Sequence, residues 1–108
     1  MVLIFGGAYQ GKHEYAVEHS DKGRILGEFH LRILDLIKEG KDPVAYIRGH
    51  MDEYRDKVII CDDISCGVVP VDPLMRKWRE AVGYCLNVLA GESDEVIRLF
   101  CGISTKIK

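Results

Sequence analysis

Apolar residues form two kinds of pattern along the chain, continuous runs and runs with helical spacing. The residues at 2–5 and at 58–61 are continuously apolar, which is typical of parallel strands buried on both faces. A further run at 96–101 predicts a third strand, and residues 103–108 are a short tail that could add an edge strand. The chain is therefore expected to contain a small central sheet.

Helices are predicted where apolar residues recur every three or four positions. The expected helices cover residues 12–19, 26–40, 42–57 and 72–91. The last two begin with Asp42-Pro43 and Asp72-Pro73, each an N-cap residue followed by a first-turn proline, and Gly91 is expected to terminate the longest helix. Strands that alternate with helices predict an α/β fold, because right-handed crossovers place helices on the faces of a parallel sheet.

The composition narrows the class of protein. A length of 108 residues, with 47% hydrophobic and 30% charged residues, fits a single domain over residues 1–108. The net charge of -2 gives no overall basic field, so we predict neither a nucleic-acid nor a membrane partner. No signal peptide or membrane-spanning apolar run is recognisable, and we therefore expect a cytoplasmic protein.

The cysteines are also consistent with the expected cytoplasmic location. The four cysteines are Cys61, Cys66, Cys85 and Cys101, and their spacing forms no CxxC pair and no metal-ligand pattern. Three of them lie inside apolar runs, where a cysteine behaves as a small hydrophobic residue. We therefore expect free and buried thiols, without a disulfide.

A glycine-rich loop joins the first predicted strand to the first predicted helix. Its residues, which satisfy the GxxxxGK part of the Walker A pattern, are Gly6, Gly7, Ala8, Tyr9, Gln10, Gly11 and Lys12. The loop N–H groups and the positive end of the helix would hold nucleotide phosphates, with Lys12 reaching the β- and γ-phosphates. The alternative is a glycine-rich turn followed by a surface lysine. The first interpretation predicts a minimal P-loop NTPase-like three-layer fold with a small, mostly parallel sheet.

Two further features bear on the metal site. His13 follows the lysine, at the position where Ser or Thr normally offers a hydroxyl to Mg²⁺, and imidazole is a poor ligand for this hard cation. His13 could instead donate to a phosphate or face solvent. Asp62 and Asp63 follow the second apolar strand as in a Walker B motif and are candidate Mg²⁺ ligands, the alternative being an ordinary Asp-containing turn.

Longer stretches of the chain resemble one enzyme family. The stretches are GGAYQGKHEYA at 6–16 and IICDDISCGVVPVDPLMRKWREAVG at 59–83, and the similarity continues to residue 108. They resemble adenosylcobinamide kinase/adenosylcobinamide-phosphate guanylyltransferase, an enzyme of cobalamin biosynthesis. The resemblance implies a P-loop α/β domain in a homo-oligomer that uses ATP or GTP. It also implies phosphorylation of the aminopropanol arm of adenosylcobinamide, followed by GMP transfer from GTP through a guanylylated histidine.

The resemblance assigns roles to particular positions. Gly6, Gly7, Gly11 and Lys12 fall on the family's phosphate loop, and Asp62-Asp63 fall where the family has Asn-Glu beside the nucleotide. Since Asp63 keeps the carboxylate, Lys12 and Asp63 are the candidate catalytic residues, and residues 6–13 form the candidate nucleotide site.

Several positions depart from the family pattern. The departures are His13 for a loop serine, Ser65 for a glycine, and Leu86-Asn87 for an Asn-Gln pair. The segment before residue 58 is short, and no second strand leading to the histidine-bearing helix is predicted there. His30 is the remaining candidate for the guanylylated nucleophile, although its spacing differs from the family's. We favour interpreting it as a partly exposed histidine beside core Phe29.

The long predicted helix carries four other residues of interest. Arg76 and Arg79 share a face that suits either a phosphate clamp or a solvated surface. Trp78 and Tyr84 follow the helix period and are interpreted as core or subunit-contact residues rather than a platform for the corrin. Two hypotheses remain for the whole chain, an active ATP- or GTP-dependent enzyme and a catalytically inactive nucleotide-binding or assembly module.

Overall fold

A computed structural model describes residues 1–64 and 71–108 of the chain. Its helices and strands, in chain order, are β1 Val2–Gly6, α1 Lys12–His19, β2 Ile25–Leu26, α2 Phe29–Lys38, α3 Pro43–Gly49, α4 Met51–Tyr54, β3 Val58–Asp62, α5 Pro73–Glu92, β4 Glu95–Phe100 and β5 Ile103–Lys106. A short 3₁₀ turn, Lys22–Arg24, precedes β2. Residues 65–70, which include Ser65 and Cys66, lie outside the described residues.

The five strands form one sheet in the order β2-β3-β1-β4-β5. The first four are parallel, with Val2 opposite both Val58 and Glu95, and β5 runs antiparallel to β4. The α/β prediction is confirmed, and residues 103–106 do add an edge strand. The prediction of three main strands was wrong because it missed the parallel strand β2. This strand has only two residues, which are too few to form a recognisable apolar run.

Alternating side chains of the strands pack against helices on both faces of the sheet. One face, which includes Leu3 and Ile59, is covered by α2, α3, α4 and α5 through residues such as Ile33 and Leu89. The other face, which includes Ile4 and Ile60, packs against α1. The strands are apolar at nearly every position because both faces are buried, and the result is the predicted three-layer arrangement.

The helix starts at the two Asp-Pro pairs follow the prediction. The Asp42 Oδ1 accepts the backbone N–H of Val44 at 3.0 Å, and the Asp72 Oδ1 accepts that of Leu74 at 2.8 Å. Each carboxylate therefore satisfies a first-turn N–H that has no partner within its helix.

Three other helix boundaries differ from the prediction. The second helix begins at Phe29 rather than residue 26, because Leu26 belongs to β2. The third is interrupted at His50, which separates α3 from α4. Gly91 does not end the long helix, which continues to Glu92. A glycine ends helices mainly by adopting positive φ, and Gly91 does not do so here.

The thiol prediction holds for two of the three described cysteines. Cys61 and Cys85 are free and buried, and burial is the main reason that the pKa of Cys61 is raised and that of Cys85 is raised to about 12. Cys101 is exposed, because it occupies the tip of the β4–β5 hairpin. In the described parts of the chain, no helix is both long and apolar enough to span a membrane.

Candidate functional site

The glycine-rich loop leaves the carboxyl end of β1 and enters α1. Gly6 lies against the neighbouring strand, where an added Cβ would be 2.3 Å from the carbonyl oxygen of Leu99. Gly11 has a φ of 86° at the N-cap of α1, in the left-handed region that favours glycine. These two glycines are therefore required by backbone geometry. The loop is also tied to the β4–β5 hairpin, since the Gln10 side-chain oxygen accepts the backbone N–H of Cys101.

Lys12 is buried, with 6% of its surface exposed. Its ammonium group donates to the Gly7 carbonyl oxygen at 2.5 Å and pairs with the Asp62 Oδ1 at 2.7 Å. A buried lysine normally needs such partners to offset the loss of hydration. The alternative of a surface lysine after a glycine-rich turn is therefore wrong, and a positive charge is held directly beneath the loop.

His30 reaches the same carboxylate from the other side. The Asp62 backbone N–H donates to the His30 Nδ1 at 3.2 Å, and the His30 Nε2 is 3.5 Å from the Asp62 Oδ2. Since Nδ1 accepts a hydrogen bond, the proton of the neutral ring resides on Nε2, which faces the carboxylate. His30 is 9% exposed, so the interpretation as a partly exposed histidine was wrong.

The position of His30 depends on the strand that the sequence did not reveal. β2 pairs with β3 at Ile25–Val58 and leads through Gly27 and Glu28 into α2. The expectation that no strand precedes the histidine-bearing helix is therefore wrong. Glu28 has a φ of 53°, and this left-handed residue turns the chain between β2 and α2, where the sequence pattern had predicted helix.

A cleft of about 580 Å³ separates the loop from the start of α2. It is lined by Ala8, Tyr9, Gln10, Gly11, Lys12, His13, Glu14, Gly27, Glu28, His30, Ile60 and Asp62. Six of the eight predicted nucleotide-site residues are among them, whereas Gly6 and Gly7 do not line it. Glu14, Gly27, Glu28 and Ile60 were not predicted. Gly27 and Glu28 could be predicted as cleft residues only if β2 was recognised, because both lay inside the predicted helix 26–40.

Asp63 occupies a different environment from Asp62. Its backbone N–H donates to the Gly6 carbonyl oxygen at 2.8 Å. The residue lines a separate cavity of about 200 Å³, between the sheet and α5, together with Asn87. Consecutive strand residues point to opposite faces, so only one of the two acids can face Lys12. The structure places Asp62 there.

The other polar and aromatic candidates lie on α5. Arg76 donates to the Val71 carbonyl oxygen at 3.0 Å, and neither it nor Arg79 lines the cleft. Tyr84 is 64% exposed and is therefore not a core residue. Trp78 is half-buried, and its indole N–H donates to the His30 carbonyl oxygen at 2.7 Å.

The donor chemistry around Lys12 also bears on the predicted Mg²⁺. The Asp62 carboxylate offers the oxygen ligands that Mg²⁺ prefers, whereas the His13 and His30 rings do not. Among residues 1–64 and 71–108, no group of three or more His, Cys, Asp or Glu side chains is arranged to hold a metal ion.

Two thirds of the chain match a known protein family. The sequence model of CobU, described as cobinamide kinase / cobinamide phosphate guanyltransferase, matches residues 36–107. The chain belongs to the CobU family. A search of curated proteins found no match. Membership of the CobU family implies the use of ATP or GTP and of cobinamide substrates.

The CobU match covers the scaffold better than the cleft. It includes α3, α4, β3, α5, β4 and β5, and it begins after the glycine-rich loop and after His30. Of the residues that line the cleft, only Ile60 and Asp62 fall within it. The CobU match therefore does not bear on Lys12 or His30, which lie outside residues 36–107.

Proposed function

We propose that this CobU-family chain binds ATP or GTP in the cleft beside the glycine-rich loop and transfers phosphate to the aminopropanol hydroxyl of adenosylcobinamide. The observation that carries the proposal is the buried Lys12 ammonium, held between the Gly7 carbonyl and the Asp62 carboxylate at the base of the cleft. A cation fixed at this place attracts polyphosphate before any other part of the ligand binds.

Binding would exchange one anionic partner of Lys12 for another. The N–H groups of residues 8–12 and the positive end of α1 would hold the phosphates, and Lys12 would leave Asp62 to neutralise the transferring group. Asp62 thereby becomes the best candidate to hold Mg²⁺ or an ordered water, a role for which Asp62 and Asp63 were both predicted candidates. Bound Mg²⁺ would add charge neutralisation at the phosphates.

His30 is the candidate for guanylyl transfer, the second reaction in the family description. Its Nδ1, which carries no proton, would release the Asp62 N–H and attack the α-phosphorus of GTP, forming an N–P bond as the bond to pyrophosphate breaks, and the Nε2 proton would pass to the adjacent Asp62 carboxylate. Its support is its place in the cleft with Lys12. A covalent GMP adduct that is present in the wild type and absent from His30→Asn would identify this residue by mass spectrometry.

The kinase proposal is tested by calorimetry and product analysis. We expect ATP or GTP to bind with Mg²⁺ present, and incubation with adenosylcobinamide to give a product heavier by one phosphate. Binding of neither nucleotide would refute the proposal. The matched control is Lys41→Ala, which removes an exposed lysine paired with Glu39 and should leave both measurements unchanged.

A catalytically inactive binding module is the second candidate function. It is favoured by His13, which is exposed and lines the cleft at the position of the missing hydroxyl. Phosphate binding survives the loss of that hydroxyl better than phosphoryl transfer does, because transfer needs the metal to be positioned. Nucleotide binding without phosphorylated or GDP-linked product would favour this module over the enzyme.

We also propose that the chain forms a homo-oligomer, as the resemblance implies. Tyr84, Phe100 and Ile103 are large side chains with more than half of their surface exposed in the single chain, which is the kind of surface that a subunit contact covers. Light scattering coupled to gel filtration gives the oligomeric mass directly, and a monomer at all concentrations would refute this part.

A further inference from the structure

Trp78, the only tryptophan of the chain, holds the start of α2 at two points. Its indole N–H donates to the His30 carbonyl oxygen at 2.7 Å, and its ring stacks on the His30 imidazole with centroids 6.2 Å apart and an interplanar angle of 26°. The hydrogen bond restrains the backbone of His30, and the ring contact limits rotation of its side chain. Together they fix the direction in which the imidazole points.

The imidazole in turn restrains the partner of Lys12. Both nitrogens of His30 face Asp62, one through the backbone N–H at 3.2 Å and the other through the carboxylate at 3.5 Å. The second oxygen of that carboxylate pairs with Lys12 at 2.7 Å. A continuous series of contacts therefore runs from the indole on α5, through α2 and β3, to the ammonium beneath the glycine-rich loop.

In the described parts of the chain, the start of α2 is held mainly by packing of the buried Phe29 ring against Tyr54, which is not a directional polar contact. The strand that precedes it, β2, has two residues, and the N-cap residue Glu28 makes no side-chain capping hydrogen bond. A helix that begins this way depends on its packing partners for orientation. The indole of Trp78 adds a directional contact at a helix start that has no side-chain cap.

We propose that Trp78 is a positioning residue, which sets His30 so that Asp62 is held where it pairs with Lys12. This role rests on the proposed function insofar as the site binds a nucleotide. It also has a consequence without any ligand, because a change at Lys12 must reach the indole through Asp62 and His30. The emission of the single tryptophan therefore reports on the charge pair beneath the loop.

The first experiment uses ligand-free protein. Fluorescence spectra of the wild type, Lys12→Ala and Lys41→Ala are compared at equal concentration, with circular dichroism as a check on folding. We expect Lys12→Ala to shift the emission maximum or change its intensity, while Lys41→Ala matches the wild type. A folded Lys12→Ala protein whose emission equals that of the wild type would overturn the proposal.

The second experiment separates positioning from packing. Trp78→Phe keeps a ring against His30 but removes the N–H donor, and the control, Lys77→Ala, removes a polar group from an exposed site on the same helix. We expect Trp78→Phe to lower kcat for phosphate transfer about threefold to tenfold, as for the loss of one hydrogen bond, with little change in KM for the nucleotide. Wild-type kcat in Trp78→Phe would contradict a positioning role.

The two proposals fail in different ways. If the wild type binds no nucleotide, the proposed function is refuted, and the ligand-free spectra still decide whether Trp78 senses Lys12. If nucleotide binds and product forms but the spectra of the wild type and folded Lys12→Ala coincide, the function stands and the positioning role is refuted.

Discussion

The residues that line the cleft and the residues that match the CobU family occupy different parts of the chain. The glycine-rich loop, Glu28 and His30 all precede residue 36, whereas the match begins there and continues through α5 and the β4–β5 hairpin. Only Ile60 and Asp62 belong to both. Family membership is therefore shown mainly by the scaffold, and activity has to be tested by changes in the first third of the chain.

The largest effect is expected from Lys12→Ala. Removing the cation takes away the charge that would neutralise the transferring phosphate, and we expect turnover to fall roughly 10²-fold to 10³-fold. Product formation by mass spectrometry and nucleotide affinity by calorimetry give the two values. Turnover equal to that of the wild type would show that phosphate transfer does not take place in this cleft.

Leu89→Ala tests the scaffold in the same way. Leu89 is fully buried on α5, and truncation of a buried leucine costs about 2–5 kcal/mol of unfolding free energy. Leu31→Ala, at a 41% exposed position of α2, is the control and should cost far less. Urea denaturation measures both changes. We expect the nucleotide affinity of folded Leu89→Ala to equal that of the wild type, and a weaker affinity would show that the two regions are coupled.

The scaffold was also the part that sequence patterns predicted well. Continuous apolar runs gave β1, β3 and β4, since strands buried on both faces leave a plain signal, and Asp-Pro pairs marked the starts of α3 and α5. β2 escaped because two residues cannot show a period. Its absence from the prediction also moved the start of α2 and hid the environment of His30.

His13→Ser would add a hydroxyl group to the cleft, in the part of the chain that the CobU match does not cover. The change restores the hydroxyl that Mg²⁺ binds in a complete Walker A motif, and His13 is exposed, so stability should hardly change. We expect the Mg²⁺-dependent part of nucleotide affinity to rise about tenfold, equivalent to about 1.4 kcal/mol. His19→Ser, at the other end of α1, is the control. Calorimetry with and without Mg²⁺ isolates the effect, and an unchanged Mg²⁺ dependence would contradict the expectation.

Within the candidate site, the sequence could identify residue types but not their contacts. The loop pattern pointed to Lys12 as a candidate, and the structure places its ammonium beside the cleft. The choice between Asp62 and Asp63 depended on the side of the sheet towards which each residue lies, and the resemblance favoured Asp63. Trp78 approaches His30 from 48 positions away, a contact that only tertiary packing creates.

The smallest effect concerns thiol reactivity, which should follow burial rather than distance from the cleft. Burial raises the pKa of Cys61 and raises that of Cys85 to about 12, so neither carries much thiolate below pH 9, and both should resist iodoacetamide in the native protein. Cys101 is exposed and should be alkylated. Peptide mapping at pH 8 measures each site, and rapid labelling of Cys85 would indicate local opening of α5.

The hydrogen bond between Gln10 and Cys101 joins positions 91 residues apart, and it bears on the order in which the chain folds. Pairing of β1 with β4 closes a loop of the same size, since Val2 lies opposite Glu95, and the single contact between Gln10 and Cys101 is expected to form on that paired framework rather than before it. We expect amides of the glycine-rich loop to gain protection in pulsed hydrogen exchange only after the central strands are protected. The ability to bind a nucleotide would then be acquired last during refolding.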